Sequence, residues 1–98
     1  TLAHELDFAN ATSVSTTSIV NWASYTATDD GILFVSAEGS NTALDARIMY
    51  DNTAYTIGGY YRNSNSNATY FAVVKGQSVK YVVTGTYVSV RFVPYKKA

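Results

Sequence analysis

The chain has 98 residues, no cysteine and a formal net charge of zero, with seven acidic and seven basic side chains. This length allows one domain with a thin core, and the lack of cysteine excludes disulfides and thiolate metal sites. The balanced charge argues against nucleic acid or an anionic membrane as a partner, because both are bound through clustered Lys and Arg.

Charged residues make up only 14% of the chain, against about 25% in an average protein. No apolar run approaches the roughly 18 residues that span a bilayer, so membrane insertion is not expected. Thr1 is neither an initiator methionine nor part of a signal peptide. We therefore expect residues 1–98 to be a single domain, the C-terminal piece of a longer chain, and to gain stability by oligomerisation.

Apolar and polar residues alternate from about residue 19 to Tyr95, with Gly, Asn and Asp at short intervals. This pattern predicts an all-β domain, a small antiparallel jelly-roll or β-sandwich of about eight strands. The strands are expected at residues 4–9, 19–27, 31–37, 43–50, 54–60, 68–74, 78–84 and 86–95. Between them lie residues that accept positive φ or cap their own turns, such as Asp29-Asp30-Gly31 and Asp51-Asn52-Thr53.

Strands 31–37 and 68–74 are unusual because both of their faces are apolar. Either they are covered on both sides within the monomer, or a second chain buries their outer face. Since a two-layer sandwich covers only one face of each sheet, we expect a subunit interface. The residues assigned to this oligomer interface are Leu33, Val35, Phe71 and Val73.

The segment GGYYRNSNSNATY, residues 58–70, alternates Ser and Asn between tyrosines and one arginine. This mixture is typical of adaptable protein-binding and sugar-binding surfaces, and amide and hydroxyl groups beside an aromatic ring suit a saccharide. The segment is either a binding loop or a solvated hairpin loop whose tyrosines cover the sheet. As a binding loop, it would contact its ligand or receptor through Tyr60, Tyr61, Arg62, Asn63, Asn65 and Asn67.

Two later segments predict a hairpin turn and the core-facing side chains of the last strand. Lys75-Gly76-Gln77-Ser78 is predicted to be a hairpin that places strands 68–74 and 78–84 in one sheet, with Gly76 available for positive φ. In the last strand, the side chains of alternate residues are predicted to face the core, and those between them are predicted to face the solvent. The core set is Val88, Val90 and Phe92, and the solvent set is Tyr87, Ser89, Arg91 and Val93.

Residues that could carry catalysis are sparse. His4 is the only histidine and lies near the terminus, and most carboxylates lie in predicted turns rather than in apolar pockets. Asp29-Asp30-Gly31 offers two adjacent carboxylates, whereas calcium loops supply several spaced oxygen ligands. Trp22 could be a sugar platform, or it could anchor a core or interface. We expect no enzyme activity, no cofactor and no metal site.

Two stretches resemble the small jelly-roll head domains at the C-terminal end of phage tail-fibre and appendage proteins. The run from Trp22 to Val35 is similar to their "W, YTA, DG, apolar strand" opening, and residues 71–96 are similar to their "V-K-K-G-D-x-V, loop, R-F-x-P-Y" ending. Gln77 stands where this ending commonly has Asp. The Lys-Gly turn also occurs in tumour-necrosis-factor and C1q-like trimers. The resemblance implies a homotrimeric head on a virion fibre, outside the cell, which registers the trimer, binds a host surface glycan or protein, or does both.

Three functions therefore remain open. The first is a non-enzymatic, trimer-forming head domain of a phage fibre or appendage that binds the host surface. The second is a monomeric carbohydrate-binding module of a larger secreted enzyme. The third is a domain that only registers fibre chains. The oligomeric mass in solution separates the head domain from the module.

Overall fold

The computed structural model describes residues 5–39, 44–55 and 65–97. Within these ranges the chain forms one 3-10 helix and eight strands, which confirms the predicted all-β class. The 3-10 helix is Phe8–Asn10, and the strands are β1 (Thr12–Ser15), β2 (Ile19–Thr26), β3 (Gly31–Gly39), β4 (Asp45–Tyr50), β5 (Thr53–Tyr55), β6 (Asn65–Val73), β7 (Ser78–Thr84) and β8 (Tyr87–Pro94).

The strands form two four-stranded antiparallel sheets that enclose one hydrophobic core. The first sheet has the order β1-β8-β3-β6, and the second has the order β2-β7-β4-β5. Among the described strands, β4 and β5 are therefore the only consecutive pair that lie side by side in one sheet. All other consecutive strands lie in opposite sheets, which is the arrangement of a jelly roll.

The Lys75-Gly76 turn joins the two sheets. Because β6 and β7 belong to opposite sheets, the predicted hairpin that placed them in one sheet is wrong. The physical reason is that a tight reversal with positive φ, here 87° at Gly76, also serves to turn a strand onto the facing sheet. Gln77 closes this corner, because its backbone N–H donates to the Val74 carbonyl and its Oε1 accepts from the Val74 N–H, both at 2.9 Å.

The predicted Asp29-Asp30-Gly31 turn is confirmed, and it holds the same corner from the side. The Asp30 N–H donates to Oδ1 of Asp29, and Oδ1 of Asp30 accepts the Lys75 N–H, both at 2.9 Å. Asp29 also pairs with Lys97, and this hydrogen bond lowers the pKa of the Asp29 carboxyl. Both carboxylates thus serve local structure.

The described part of one predicted strand is not a strand in the structure, and another predicted strand begins earlier than expected. In the described part of the predicted strand 4–9, Leu6 makes only an isolated bridge to Tyr95, and a 3-10 helix follows. The strand predicted at 68–74 begins earlier, at Asn65. Asn and Ser have low β-propensity, but pairing with β3 as far as Gly39 overrides this preference. Of the predicted strand 54–60, residues 56–60 lie outside the described ranges.

The core lies between the two sheets. The largest fully buried side chains of the two-sheet core include Leu33 and Val35 of β3, Ile48 of β4 and Val79 and Val83 of β7. The predicted inward set of β8 also faces this core: Val90 and Phe92 are buried, and Val88 packs against them. The alternation seen in the sequence therefore identified the core face of β8 correctly, although Val93, from the predicted solvent set, is buried as well.

The four residues assigned to an oligomer interface lie on this inner face. Leu33, Val35 and Val73 are buried in the core of the single chain, and Phe71 packs against it. The assignment therefore needs correction, because these side chains face the second sheet of their own protomer. Both parities of β3 and β6 are apolar, so composition could not tell the inner face from the outer one. Any interface on β3 and β6 must therefore use the residues that point away from the core.

Candidate binding surface

The outer face of the first sheet carries cross-strand rows of side chains. Successive residues of a strand point to opposite faces, so the residues of β3, β6 and β8 that do not face the core point outward. From Phe34 to Glu38 of β3, the strand register places these residues in three rows: Tyr70, Phe34 and Arg91; Ala68, Ser36 and Ser89; and Ser66, Glu38 and Tyr87. Each row runs from β6 across β3 to β8.

The middle row forms the floor of a groove. Two adjoining depressions of about 290 and 250 Å³ both use its three small residues, Ser36, Ala68 and Ser89. The larger depression also touches Phe34 and Arg91, and the smaller one touches Glu38 and Tyr87. We call the two together the transverse groove, defined by these three floor and four wall residues. It crosses the strands because small side chains lie between two rows of larger ones.

The polar side chains of the transverse groove are unpaired among the described residues. Within the described ranges, the hydroxyls of Ser36 and Ser89 make no hydrogen bond, and neither Glu38 nor Arg91 forms an ion pair. The groove thus offers two hydroxyls, one carboxylate and one guanidinium. A neutral ligand that both donates and accepts hydrogen bonds can use all four groups.

Aromatic rings stand at the walls of the groove. The ring of Tyr87 is 72% exposed at one wall. At the other wall, the rings of Phe34 and Tyr70 lie 6.0 Å apart at 39°, so Tyr70 braces Phe34. The walls can therefore contact the apolar face of a ligand while the floor contacts its polar edge.

An exposed apolar area adjoins the groove on the same sheet face. Phe8 and Val74 are each 60% exposed and Tyr70 is 48% exposed. The register pairs Ile32 with Ala72 in the row next to Phe34 and Tyr70. We call these five residues the outer apolar patch: Phe8, Ile32, Tyr70, Ala72 and Val74. Exposed apolar side chains grouped in this way make the patch a candidate interaction surface.

The N-terminal segment holds Phe8 against this face. The Asp7 N–H donates to the Pro94 carbonyl at 2.8 Å, and the Lys96 N–H donates to the Glu5 carbonyl at 2.7 Å. Val93 is buried although it points outward, and it lines the larger depression together with Phe8. The segment before β1 thus covers one end of the sheet and extends the apolar surface.

Two of the residues assigned to the predicted binding loop, Asn65 and Asn67, lie within the described ranges. Tyr60, Tyr61, Arg62 and Asn63 lie outside the described residues. Asn65 begins β6, where it pairs with Gly39 of β3. Asn67 pairs with Ala37, and its Oδ1 is buried without a hydrogen-bond partner, as is Oγ1 of Thr69 two residues later. Asn67 is therefore a strand residue rather than part of an exposed loop.

Trp22 lies on the opposite side of the molecule, in β2 of the second sheet. The guanidinium of Arg47 lies 5.3 Å from the centroid of its ring. Arg47 is itself held by Asp45 through two hydrogen bonds of 2.8 Å, and this pairing raises the pKa of the guanidinium. Arg47 therefore occupies one face of the Trp22 ring. Trp22 also lies outside the core cluster, so it covers the outer surface of the second sheet.

Neither a catalytic nor a metal site emerges from residues 5–39, 44–55 and 65–97. No group of three or more His, Cys, Asp or Glu side chains in these ranges could hold a metal ion. His4 lies outside them. None of the described residues belongs to a helix that is long and apolar enough to cross a bilayer.

Sequence reasoning missed most of the transverse groove, although part of its signal was present. The outward parity of Tyr87, Ser89 and Arg91 could be read from β8 alone. Their neighbours Ser36 and Glu38 could not be assigned without knowing that β8 pairs with β3, two strands separated by almost fifty residues. No family model, no curated protein and no solved structure matches this chain, so the function of the surface is inferred from its own geometry.

Proposed function

We propose that this chain is a non-enzymatic, trimer-forming head domain of a phage fibre or appendage protein. In this proposal the domain lies on the outside of the virion, at the C-terminal end of a longer chain. It registers three copies of the fibre and binds a glycan or protein of the host surface. The resemblance of the two terminal stretches is the reason for proposing a phage fibre and a trimer.

The observation that carries the proposal is the outer apolar patch. A 98-residue chain buries only roughly 60–65% of its unfolded surface, so additional burial through association adds substantially to its stability. Lys, Arg, Asp and Glu are absent from the patch itself, which keeps the cost of desolvating it low. This arrangement favours a subunit contact through the outward-pointing residues of β3 and β6.

The transverse groove supports the host-binding part of the proposal. It adjoins the patch, and its polar groups make no bonds within the described residues that would have to be broken on binding. The third possibility, a domain that only registers the trimer, gives these groups no role. A groove with unpaired hydroxyls and charges therefore favours a head that also binds.

The oligomeric mass tests the proposal directly. We expect the chain to be a trimer at micromolar concentration by analytical ultracentrifugation or multi-angle light scattering. Val74→Arg should give monomers, because three copies would then bury a cation in an apolar contact. The matched control is Val20→Arg, which changes a 74% exposed valine of β2, on the second sheet, and should remain trimeric.

Two results would contradict this assignment. A stable monomer at micromolar concentration would remove the trimer, and with it the proposed fibre head. If Val20→Arg and Val74→Arg dissociated the trimer equally, the subunit contact would lie outside the outer apolar patch.

A carbohydrate-binding module of a larger secreted enzyme is the second candidate, because the groove also suits a monomeric sugar-binding domain. The module predicts the same ligand site without self-association. A monomer that still binds sugars in the groove would therefore favour the module over the fibre head.

A further inference from the structure

We propose that the transverse groove binds a short stretch of a neutral oligosaccharide, which lies across β6, β3 and β8. This inference rests on the proposed host-binding function and specifies its ligand class and its residues. It places the binding site on the sheet face rather than in the loop before β6.

The shape of the groove fits an extended, narrow ligand. Its two walls belong to rows that are four residues apart along β3, at Phe34 and Glu38, which separates them by about 13 Å at 3.3 Å per strand residue. The floor between them has only Ser and Ala side chains. A chain of linked sugar rings can lie in such a channel and reach its floor.

The hydrogen-bonding groups match sugar hydroxyls. Each sugar hydroxyl can donate one hydrogen bond and accept others. Arg91 supplies donors, Glu38 supplies acceptors, and the hydroxyls of Ser36 and Ser89 can do either. A ligand with hydroxyls on successive rings can pair with all of them at once.

The charge pattern selects a neutral ligand. The groove carries one cation, Arg91, and one anion, Glu38, so its net charge is zero. A strongly acidic ligand such as a polyphosphate would meet the Glu38 carboxylate as well as Arg91. A sugar without charged substituents avoids this repulsion.

The aromatic walls contribute stacking. The exposed ring of Tyr87 and the braced ring of Phe34 can contact the C–H faces of sugar rings. A second copy of this chain is a poorer occupant, because an apolar partner would leave four polar groups without hydrogen bonds on binding. The adjacent outer apolar patch suits that partner better.

The test is an NMR titration of the wild-type chain with three neutral trisaccharides, maltotriose, cellotriose and tri-N-acetylchitotriose, each up to about 10 mM, well above the 1 mM that corresponds to weak binding. A sialylated trisaccharide is the acidic comparison. We expect a neutral sugar to shift the amide signals of Ser36, Ser89 and Arg91. The indole signal of Trp22, on the other sheet, should not move.

Substitutions then test the residue roles. Ser36→Leu fills the floor and should abolish the shifts, while Ser24→Leu, the same change at an exposed position of β2, should retain them. Arg91→Gln and Tyr87→Ala change exposed side chains and should each weaken binding by about tenfold or more, as expected for losing a charge-assisted hydrogen bond or a stacked ring. Dispersed amide spectra confirm that each variant is folded.

The outcomes separate this inference from the proposed trimer. Sugar binding that maps to residues outside the groove, survives Ser36→Leu, or occurs with none of the neutral sugars would overturn the inference. Loss of the trimer in Ser36→Leu would instead assign the groove to a second copy of the chain. Groove binding by a monomeric wild-type chain would uphold the ligand site while removing the trimer.

Discussion

Single polar side chains fix the corners of this molecule, and single hydroxyls limit its stability at high pH. Gln77 closes the turn before β7 through the Val74 N–H. The hydroxyl that limits stability at high pH belongs to Tyr81, which is buried. Burial raises the pKa of its phenol, and a hydrogen bond with Ser15 partly opposes this effect.

The Tyr81 shift predicts loss of stability at alkaline pH. The unfolded chain releases this proton near pH 10.0, whereas the folded chain retains it at higher pH. Above pH 10 the unfolded state therefore binds fewer protons, and the free energy of unfolding falls by at most about 1.4 kcal/mol per pH unit for one proton. Tyr81→Phe should flatten this decline in urea unfolding between pH 9 and pH 11. Tyr87→Phe, at an exposed ring, is the control, and an equal effect of both substitutions would contradict the assignment.

At the level of elements, the turns of a jelly roll do more than reverse the chain. Six of the seven connections between consecutive strands carry the chain from one sheet to the other. The hairpin between β4 and β5 is the exception, and there Asp51 and Asn52 both adopt positive φ, as its two-residue turn requires. The Lys75-Gly76 corner has a similar local sequence pattern but a different role.

Gly76 should be the sensitive position of that corner. Its φ of 87° disfavours any residue with a β-carbon, although open space surrounds the position where that atom would lie. Gly76→Ala should therefore lower the free energy of unfolding by about 1 kcal/mol through backbone strain alone. Gly76→Asn should cost less, because Asn tolerates positive φ better. Urea unfolding measures both, and wild-type stability of Gly76→Ala would show that the corner can change its conformation.

The sequence predicted strands and faces better than it predicted strand partners. Val90 and Phe92 show inward parity, and the structure buries them. Apolar and polar residues alternate in the same way whether the next strand pairs with the preceding one or crosses to the facing sheet. For this reason β6 and β7 were wrongly predicted to lie in one sheet. Strands β3 and β6 are apolar on both faces, so their sequences do not show which side chains face the core. Leu33 and Val35 were therefore assigned to an interface.

The molecule as a whole has two outer faces of different character. On the second sheet, Arg47 stacks on Trp22 and pairs with Asp45, so much of its chemistry is satisfied within the chain. On the first sheet, the outer apolar patch and the transverse groove remain available. In the proposed head domain, the first sheet would meet sister copies and a host ligand, and the second sheet would meet solvent.

Association through the outer apolar patch should also appear in thermal stability. If three folded copies bind one another and unfolded chains do not, mass action stabilises the folded state more at higher concentration. The melting temperature of the wild-type chain should rise by several degrees over an approximately hundredfold range of concentration, because about 1 kcal/mol corresponds to 4–8 °C in a domain of this size. Val74→Arg should melt at one temperature throughout, while Val20→Arg should keep the dependence. A wild-type melting temperature independent of concentration would show that folding is not coupled to association, and would count against the patch as a subunit contact.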